Sequence, residues 1–421
     1  MTTITEAKAD LPEALIIGTG EYVSGVVGDR STQSDKGCGV VALVHFDLRC
    51  RQKIGQRISL CGTNGTKFPL IRKHFQKLIF EKYDNLDSSF SSYPEESVAR
   101  DPYAFREAVD SFKEGDICSI FTPDDTHFEI TLRAIEKGLH VIVAKPLVKT
   151  LKHHKLLIKA ARKAKVLVMV EVHKRFDPIY SDAANRIHDF GDFGYYYSYM
   201  SQPQFQLQTF RSWAGKSSDI SYYLNSHHID FLCWVLRDKA KPVQVSAMAS
   251  TGVAKALIDV DCEDTITLTV QWKNNDSGNL GTSVHTSSWA ASPSDVHSQQ
   301  RFFYQGHKGE ISVDQAHRGY TMGSDESGYK SLNPLYMKYT PGPKGKFVGQ
   351  SGYGYLSFEH FVDAVAKIRA FQSTPEDFNS ILPTAESTLS STAILEAGRR
   401  SLDSAGKPIP ILYDADGLPN L

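Results

Sequence analysis

The chain has 421 residues, with 47 Lys and Arg against 48 Asp and Glu and a formal net charge of -1. That balance excludes a general polyanion binder such as a DNA-coating protein, and the length asks for about two or three domains, because single cores stop growing well below it. Hydrophobic residues at 41% and charged ones at 23% leave material for a sizeable core. The six cysteines form no C-x-x-C pair, so neither a zinc knuckle nor a redox dithiol is signalled, and scattered thiols fit a reducing compartment. Residues 1–13 are polar without a signal-peptide core, and no apolar run approaches a membrane span. The expectation is a cytoplasmic protein with neither a nucleic-acid nor a membrane partner.

Short apolar runs at 14–17, 57–61, 117–121, 140–144 and 166–170 each end in turn or polar residues. Helical patterns lie between them, which predicts parallel strands with right-handed crossovers. One helix is expected over 38–51. Another spans 126–137, with Ile130, Leu132 and Ala134 apolar and Gly138 as its stop. A third spans 151–163, capped by Thr150, with Leu156, Leu157 and Ala160 inward. After about residue 190 the pattern changes to alternating strands at 195–201, 243–250, 265–272, 281–286 and 302–304, as in an antiparallel sheet with one wet face. Helices return at 357–370 and 385–402. Residues 323–351, rich in Gly, Pro, Ser and Tyr, read as a long surface excursion, and the tail after Gly406 as extended.

Gly18-Thr19-Gly20 follows the first run. A dinucleotide-binding turn needs glycine there for tightness and for close approach to a pyrophosphate, so Gly18, Thr19, Gly20, Glu21 and Tyr22 are expected beside the cofactor. The third glycine of G-x-G-x-x-G is absent: Val23 holds that place, Gly25 follows, and 21–36 read as an insertion. The plainer reading is an ordinary glycine turn. At the end of the second run stands Gly62-Thr63-Asn64-Gly65-Thr66-Lys67, with no carboxylate for the ribose hydroxyls of NAD. Thr63, Asn64 and Lys67 suit a 2′-phosphate, so NADP(H) is expected, with NAD(H) as the alternative; more simply, Asn64 makes a turn and Lys67 is solvated.

Lys145-Pro146 ends the run 140–144. A lysine at the carboxyl end of a parallel strand faces the ligand crevice, where it can stabilise a developing alkoxide or relay a proton. Taken alone it would be a surface lysine. Its neighbourhood reads Thr122-Pro123-Asp124-Asp125-Thr126-His127, then Ala134-Ile135-Glu136-Lys137-Gly138-Leu139-His140-Val141, then Ala144-Lys145-Pro146-Leu147. Downstream stand Arg175-Phe176-Asp177-Pro178, Asn225-Ser226-His227-His228-Ile229-Asp230 and Gly306-His307-Lys308-Gly309-Glu310-Ile311. Each motif is modest. Together, in this order, they resemble the glucose–fructose oxidoreductase / inositol dehydrogenase (Gfo/Idh/MocA) family, from Leu15 to about Gly406.

That resemblance implies an α/β protein with a Rossmann dinucleotide-binding domain, 1–173, and an α/β domain for substrate binding and oligomerisation, 174–421, built on a large, mostly antiparallel open sheet. It implies an active site between them, a homodimer or homotetramer, and cofactor contacts along Thr122, Pro123, Asp124, His127, Ala144 and Lys145. Lys145 would be catalytic and His227 the acid/base; the bland alternative is a core histidine bonded to Asp230. His228 is expected to face the other way. Two departures stand out. Ala144 replaces the usual Glu before Lys-Pro, and Tyr223 holds the place, four before His227, where relatives often carry Asp. One helical turn still puts Tyr223 and His227 on one face, so Tyr223 is a candidate to orient substrate or donate a proton.

His173, Lys174 and Arg175, with Arg211 near Trp213, gather positive charge where substrate is expected. A carboxylated sugar would use such groups through charge-assisted hydrogen bonds. Arg175 belongs to a motif that reads as structural, so Lys174 and Arg211 join Lys145, Tyr223 and His227 as substrate candidates, against the plain alternative of solvated charges. Within the family the sequence resembles the fungal D-galacturonate reductases, which implies reduction of D-galacturonate to L-galactonate. A dehydrogenase of another sugar or polyol and a non-catalytic cofactor-binding regulator stay open. The basic run from Lys149 to Lys163 reads as a solvated helix face, with His153 and His154 exposed on it. No third ligand joins His227 and Asp230, so no metal is expected.

Overall fold

In the computed structural model, residues 11–32, 36–325 and 328–421 are described. Residues 1–10 of the polar N-terminal stretch, 33–35 of the expected insertion and 326–327 of the excursion lie outside them. Apolar runs become strands where expected: β1 (Ala14–Ile17), β2 (Ile58–Cys61), β4 (Ile117–Ile120), β5 (His140–Ala144) and β6 (Val168–Glu171), with β3 (Ser91–Tyr93) added at the edge. All pair in parallel in the order β3-β2-β1-β4-β5-β6. Strands covered on both faces read as unbroken apolar runs. The partly exposed edge strand β3, Ser-Ser-Tyr, has no such run and was not expected. Strand order reverses between β1 and β4, which opens a crevice at their carboxyl ends.

Helices fill the crossovers. A single turn, α1 (Glu21–Ser24), follows Gly20, and α2 (Val41–Cys50) begins three residues later than expected. Between them the insertion is pinched at its base: Gly25 and Gly39 take φ of 74° and 73°. A Cβ at Gly39 would overlap the Val23 carbonyl oxygen, so only glycine fits. Then come α3 (Phe68–Phe75), α4 (Ala104–Asp110), α5 (His127–Glu136) and α6 (Leu151–Ala164). Thr150 caps α6 by accepting from the His153 amide at 3.3 Å. Its buried face is Leu151, His154, Leu157 and Ala161, whereas Leu156, expected inward, is 45% exposed. His154, expected at the surface, is fully buried and bonds Thr392 Oγ1 at 2.8 Å and the Ala385 carbonyl at 2.6 Å, so satisfied hydrogen bonds carry a polar ring into the core.

After α7 (Pro178–Ile187) the second sheet forms from β7 (Phe193–Pro203), β8 (Ala240–Thr251), β9 (Glu263–Asn274), β10 (Leu280–Ala291), β11 (Gln299–Gly306), β12 (Gly309–Asp314) and the short β13 (Ile409–Pro410). Their order is β12-β11-β7-β10-β9-β8-β13. Every pair is antiparallel except β7 with β10, so the sheet is mixed rather than purely antiparallel. Burial alternates along β9 and β10 as the period-two pattern requires. The inner face packs under α8 (Ser226–Leu236) and α10 (Leu389–Asp403), and the outer face exposes Tyr195, Tyr197 and Met248.

The excursion at 323–351 is only partly a surface feature. Tyr336, Met337 and Phe347 are buried and, with α9 (Tyr353–Arg369), join the core on the α2 side of the first sheet. The Tyr83 hydroxyl donates to the Tyr339 carbonyl at 2.8 Å, and Tyr336 and Tyr22 share a 2.7 Å hydroxyl–hydroxyl bond. Chain from the second half therefore braces the glycine turn of the first. Among the described residues, no helix is long and apolar enough to cross a membrane.

Candidate active site

β1 runs into Gly18, whose φ is 120°. A Cβ there would overlap the Phe121 carbonyl oxygen, so glycine alone lets the ends of β1 and β4 lie together. At Gly20 a Cβ would meet nothing within 4 Å, which leaves one face of the turn open. Thr19 packs on Gly62 at the end of β2, where an added Cβ would lie 2.9 Å from Thr19 Cγ2. Tyr22 lies 5.5 Å from the Phe121 ring, and Glu21 accepts a hydrogen bond from Thr32 of the insertion. Asn64 Oδ1 accepts from the Thr66 amide at 2.9 Å and its hydroxyl at 2.7 Å, so this residue makes the turn, as its plainer reading has it. Thr63 is exposed; Lys67 is half-buried, its amine lowered by burial, with no ion-pair partner among the described residues.

At the end of β4, Thr126 donates to the Thr122 hydroxyl at 2.7 Å, and Pro123 precedes the turn of Asp124. His127 is fully buried, with ring nitrogens 2.8 Å from the Thr122 carbonyl and 2.9 Å from that of Pro146, so it ties the β4 and β5 loops together. Asp124 Oδ2 is sealed from solvent without a hydrogen bond. Burial raises this carboxyl, opposed by His127, a Ser218 hydrogen bond, Lys145 and Lys149. Asp124 thus belongs to the surroundings of Lys145.

Lys145 follows Ala144 into a buried cluster. Its ammonium donates to the Tyr223 carbonyl and lies 4.3 Å from the centre of the Tyr223 ring. Burial lowers the amine to about 8, against the opposing charges of Asp124 and Glu171. Tyr223 sits on a π turn, Ser221–Asn225, instead of the regular helical turn expected, and α8 follows. The wider turn still presents its carbonyl, its ring and His227 to one place. The Tyr223 hydroxyl accepts from Gln202 Nε2 at 3.2 Å, and burial raises its pKa.

His227 is 5% exposed, and its Nδ1 is buried without a partner. Burial, then Lys145, His173, Lys174 and His228, hold the imidazole well below its ordinary pKa, so it is neutral. Asp230 does not bond it: that carboxylate takes a bidentate pair from Arg175, both contacts at 2.8 Å, with both side chains buried. His228 turns the other way, to the Tyr180 hydroxyl at 2.8 Å.

Lys174 is 2% exposed. Its ammonium donates to Gln300 Oε1 and lies 4.3 Å from the Tyr180 ring centre. Burial lowers this amine to about 8; Asp177 opposes, while Arg318 and Lys145 add to the effect. Among the described residues neither Lys145 nor Lys174 is in an ion pair with a carboxylate. Arg211 is not brought in: it is exposed, on a segment that leaves it in solvent, and acts on Asp259. Sequence reasoning missed Glu171 and left His173 as a general positive charge, although Glu171 is a lone acid ending an apolar strand. Gln202, Gln300, Tyr336 and Tyr353 arrive from distant segments without a local signal.

Two family models match the chain. One, described as "Oxidoreductase family, NAD-binding Rossmann fold", covers residues 14–172; the other, "GFO/IDH/MocA C-terminal domain", covers 187–312. A scyllo-inositol 2-dehydrogenase (NAD(+)) of Bacillus subtilis (strain 168) is 37% identical over 79 residues, 19% of this chain and 23% of that protein. A D-glucoside 3-dehydrogenase of Escherichia coli (strain K12) is 29% identical over 141 residues, 33% of this chain and 34% of that protein. The matched segments thus span a third or less of this chain and 23% and 34% of those two relatives. Among solved structures, scyllo-inositol dehydrogenase from Lactobacillus casei with bound cofactor NAD(H) and scyllo-inositol superposes with a TM-score of 0.63 at 14% identity, covering 95% of this chain and 99% of that one. GenD2 from gentamicin A biosynthesis, in complex with NAD, gives 0.62 at 16% identity, covering 96% and 97%. At such identities the likeness is one of fold. With both halves matched in order, the chain belongs to the Gfo/Idh/MocA oxidoreductase family.

Proposed function

We propose that this protein is an NADPH-dependent reductase of a sugar acid, acting on the open-chain aldehyde of D-galacturonate to give L-galactonate, with NADH as the alternative cofactor. The observation that carries this reading is the buried Lys174, which acts on the buried His227 together with the half-buried Lys145 and, among the described residues, has no carboxylate in an ion pair with it. A carboxylated substrate supplies the missing negative charge; a neutral polyol, as the names of the relatives would suggest, leaves Lys174 buried without it.

The residues present fit a dinucleotide. The open face of Gly20 is the space a Cβ would occupy, beside the glycine-only approach of Gly18 to β4. With Asn64 Oδ1 engaged in its turn, Lys67 is the cation of this loop for a 2′-phosphate. When bound, the reduced nicotinamide supplies the hydride. Lys145, with its amine near 8, is the acid ready at neutral pH: its ammonium polarises the aldehyde oxygen and gives up a proton as the oxygen becomes a hydroxyl. His227, neutral, hydrogen-bonds that oxygen. Tyr223 holds Lys145 through its carbonyl and ring, and Lys174 binds the substrate carboxylate.

The proposed division places cofactor binding in 1–173 and substrate binding with oligomerisation in 174–421. Tyr195, Tyr197 and Met248 on the outer face of the second sheet form the surface for a homodimer or homotetramer. The cytosol is the compartment we assign. The test follows nicotinamide absorbance with NADPH and NADH, offering D-galacturonate, D-glucuronate and neutral aldoses, and scyllo-inositol with the oxidised cofactors. Turnover of uronates, faster with NADPH, is expected. Turnover of neutral substrates alone would discard the carboxylate argument, and no turnover at all would favour a regulatory protein.

A further inference from the structure

Glu171 closes β6, and its register partner across the parallel pair is Ala144, the residue before Lys145. Register partners point to the same face of a sheet, so Glu171 holds a carboxylate beside the position where Ala144 offers a methyl group. The carboxylate is anchored: Ser357 Oγ donates to it at 3.1 Å, and both oxygens lie 3.2 Å from His173 Nδ1. Nδ1 is the His173 nitrogen on the carboxylate side and Nε2 the one on the far side. The same ring lies 5.1 Å from that of His227, with Tyr336 at 5.4 Å and Tyr353 at 5.6 Å. The groups facing this pair are Lys145 from β5, His227 from α8, Tyr22 from the glycine turn, Tyr336 from the excursion and Tyr353 from α9.

We propose that Glu171 is the positioning carboxylate of this site, fixing His173 beside His227 and giving the Lys145 ammonium the neighbouring negative charge that Ala144 cannot supply. The inference rests on the reductase reading. As the carbonyl carbon accepts a hydride from the reduced nicotinamide, its oxygen takes one proton from Lys145 Nζ. The amine regains that proton from water by way of His173 and His227, each of which takes up one proton at one ring nitrogen as it passes one on from the other.

The test compares the full chain with Glu171→Gln, which keeps size and hydrogen bonding but removes the charge, and with the double variant Ala144→Glu/Glu171→Gln, which returns a carboxylate on β5. The first readout needs no activity: the rate at which acetic anhydride acetylates Lys145, followed by mass spectrometry across pH. Glu171 raises the Lys145 pKa, so its removal is expected to move the midpoint down and the double variant to move it back up. The second readout is uronate reduction: in Glu171→Gln, kcat falls roughly tenfold or more with KM for NADPH little changed, and the alkaline limb of the pH–rate profile shifts down. An unmoved Lys145 midpoint overturns the proposal, as does a folded double variant that recovers neither readout. If the double variant does not fold, the single-variant midpoint decides. A wild-type chain that turns over no substrate defeats the reductase reading, and the acetylation midpoint then still decides the role of Glu171.

Discussion

At Lys174 stability and function are expected to pull apart. Methionine there keeps the length of the side chain and removes the charge. Burial lowers the lysine amine from 10.5 to about 8, a penalty of about 3 kcal/mol at ~1.4 kcal/mol per pH unit. The folded state binds this proton more weakly than the unfolded chain, so the penalty is fully present below about 8 and disappears as pH rises through 10.5. Against the relief stands the Gln300 oxygen, left unpaired at a cost of ~1–2 kcal/mol. The Tyr180 contact adds a further loss of ~0.5 kcal/mol. Lys174→Met is therefore expected to be about 1 kcal/mol more stable than wild type at pH 7 and less stable by a similar amount near pH 10.5. Urea unfolding of both proteins between those limits measures the difference. A difference that does not change with pH would refute the reasoning. The same variant should raise KM for D-galacturonate roughly 10- to 100-fold, the loss of one charge-assisted hydrogen bond, and leave neutral aldoses unaffected.

Lys145→Ala should lower kcat by roughly 100-fold or more while cofactor binding, followed by nicotinamide fluorescence, persists; wild-type turnover would remove Lys145 from the chemistry. Gly18→Ala forces a side chain into a φ of 120° and against the Phe121 carbonyl, so cofactor affinity should be lost and the melting temperature should fall; unchanged titration and melting curves would show that the turn tolerates a Cβ. Lys67→Ala should raise KM for NADPH by roughly tenfold and leave that for NADH unchanged; equal effects on both would locate the 2′-phosphate elsewhere.

Strands buried on both faces were legible because burial demands continuous apolar residues, and β1, β2, β4, β5 and β6 satisfy it. The polar edge β3 has no such demand placed on it. Helix α6 was found through its cap and its inward face in part: Leu157 is buried as expected, but Leu156 is exposed, because hydrogen bonds to Thr392 and Ala385 let His154 take an inward place. Lys145, Tyr223, His227 and Lys174 were readable as chemistry-bearing residues at strand ends and in motifs, and the fold gathers them. Arg211 was read from its charge and its place near Trp213, and nothing in its segment buries it. The pairing of Arg175 with Asp230, the neighbour relation of Glu171 to Ala144 and the bracing of Tyr22 by Tyr336 are long-range register and packing relations, which no local pattern encodes.

The proposed function rests on hydride transfer to the aldehyde carbon of a sugar acid. It is tested most directly by incubating the protein with D-galacturonate and NADPH deuterated at the transferable position of the nicotinamide, then recording the product by NMR. The expected product is L-galactonate with one deuterium on its hydroxymethyl carbon. Recovery of unlabelled D-galacturonate with no deuterated L-galactonate would contradict hydride transfer to the sugar acid.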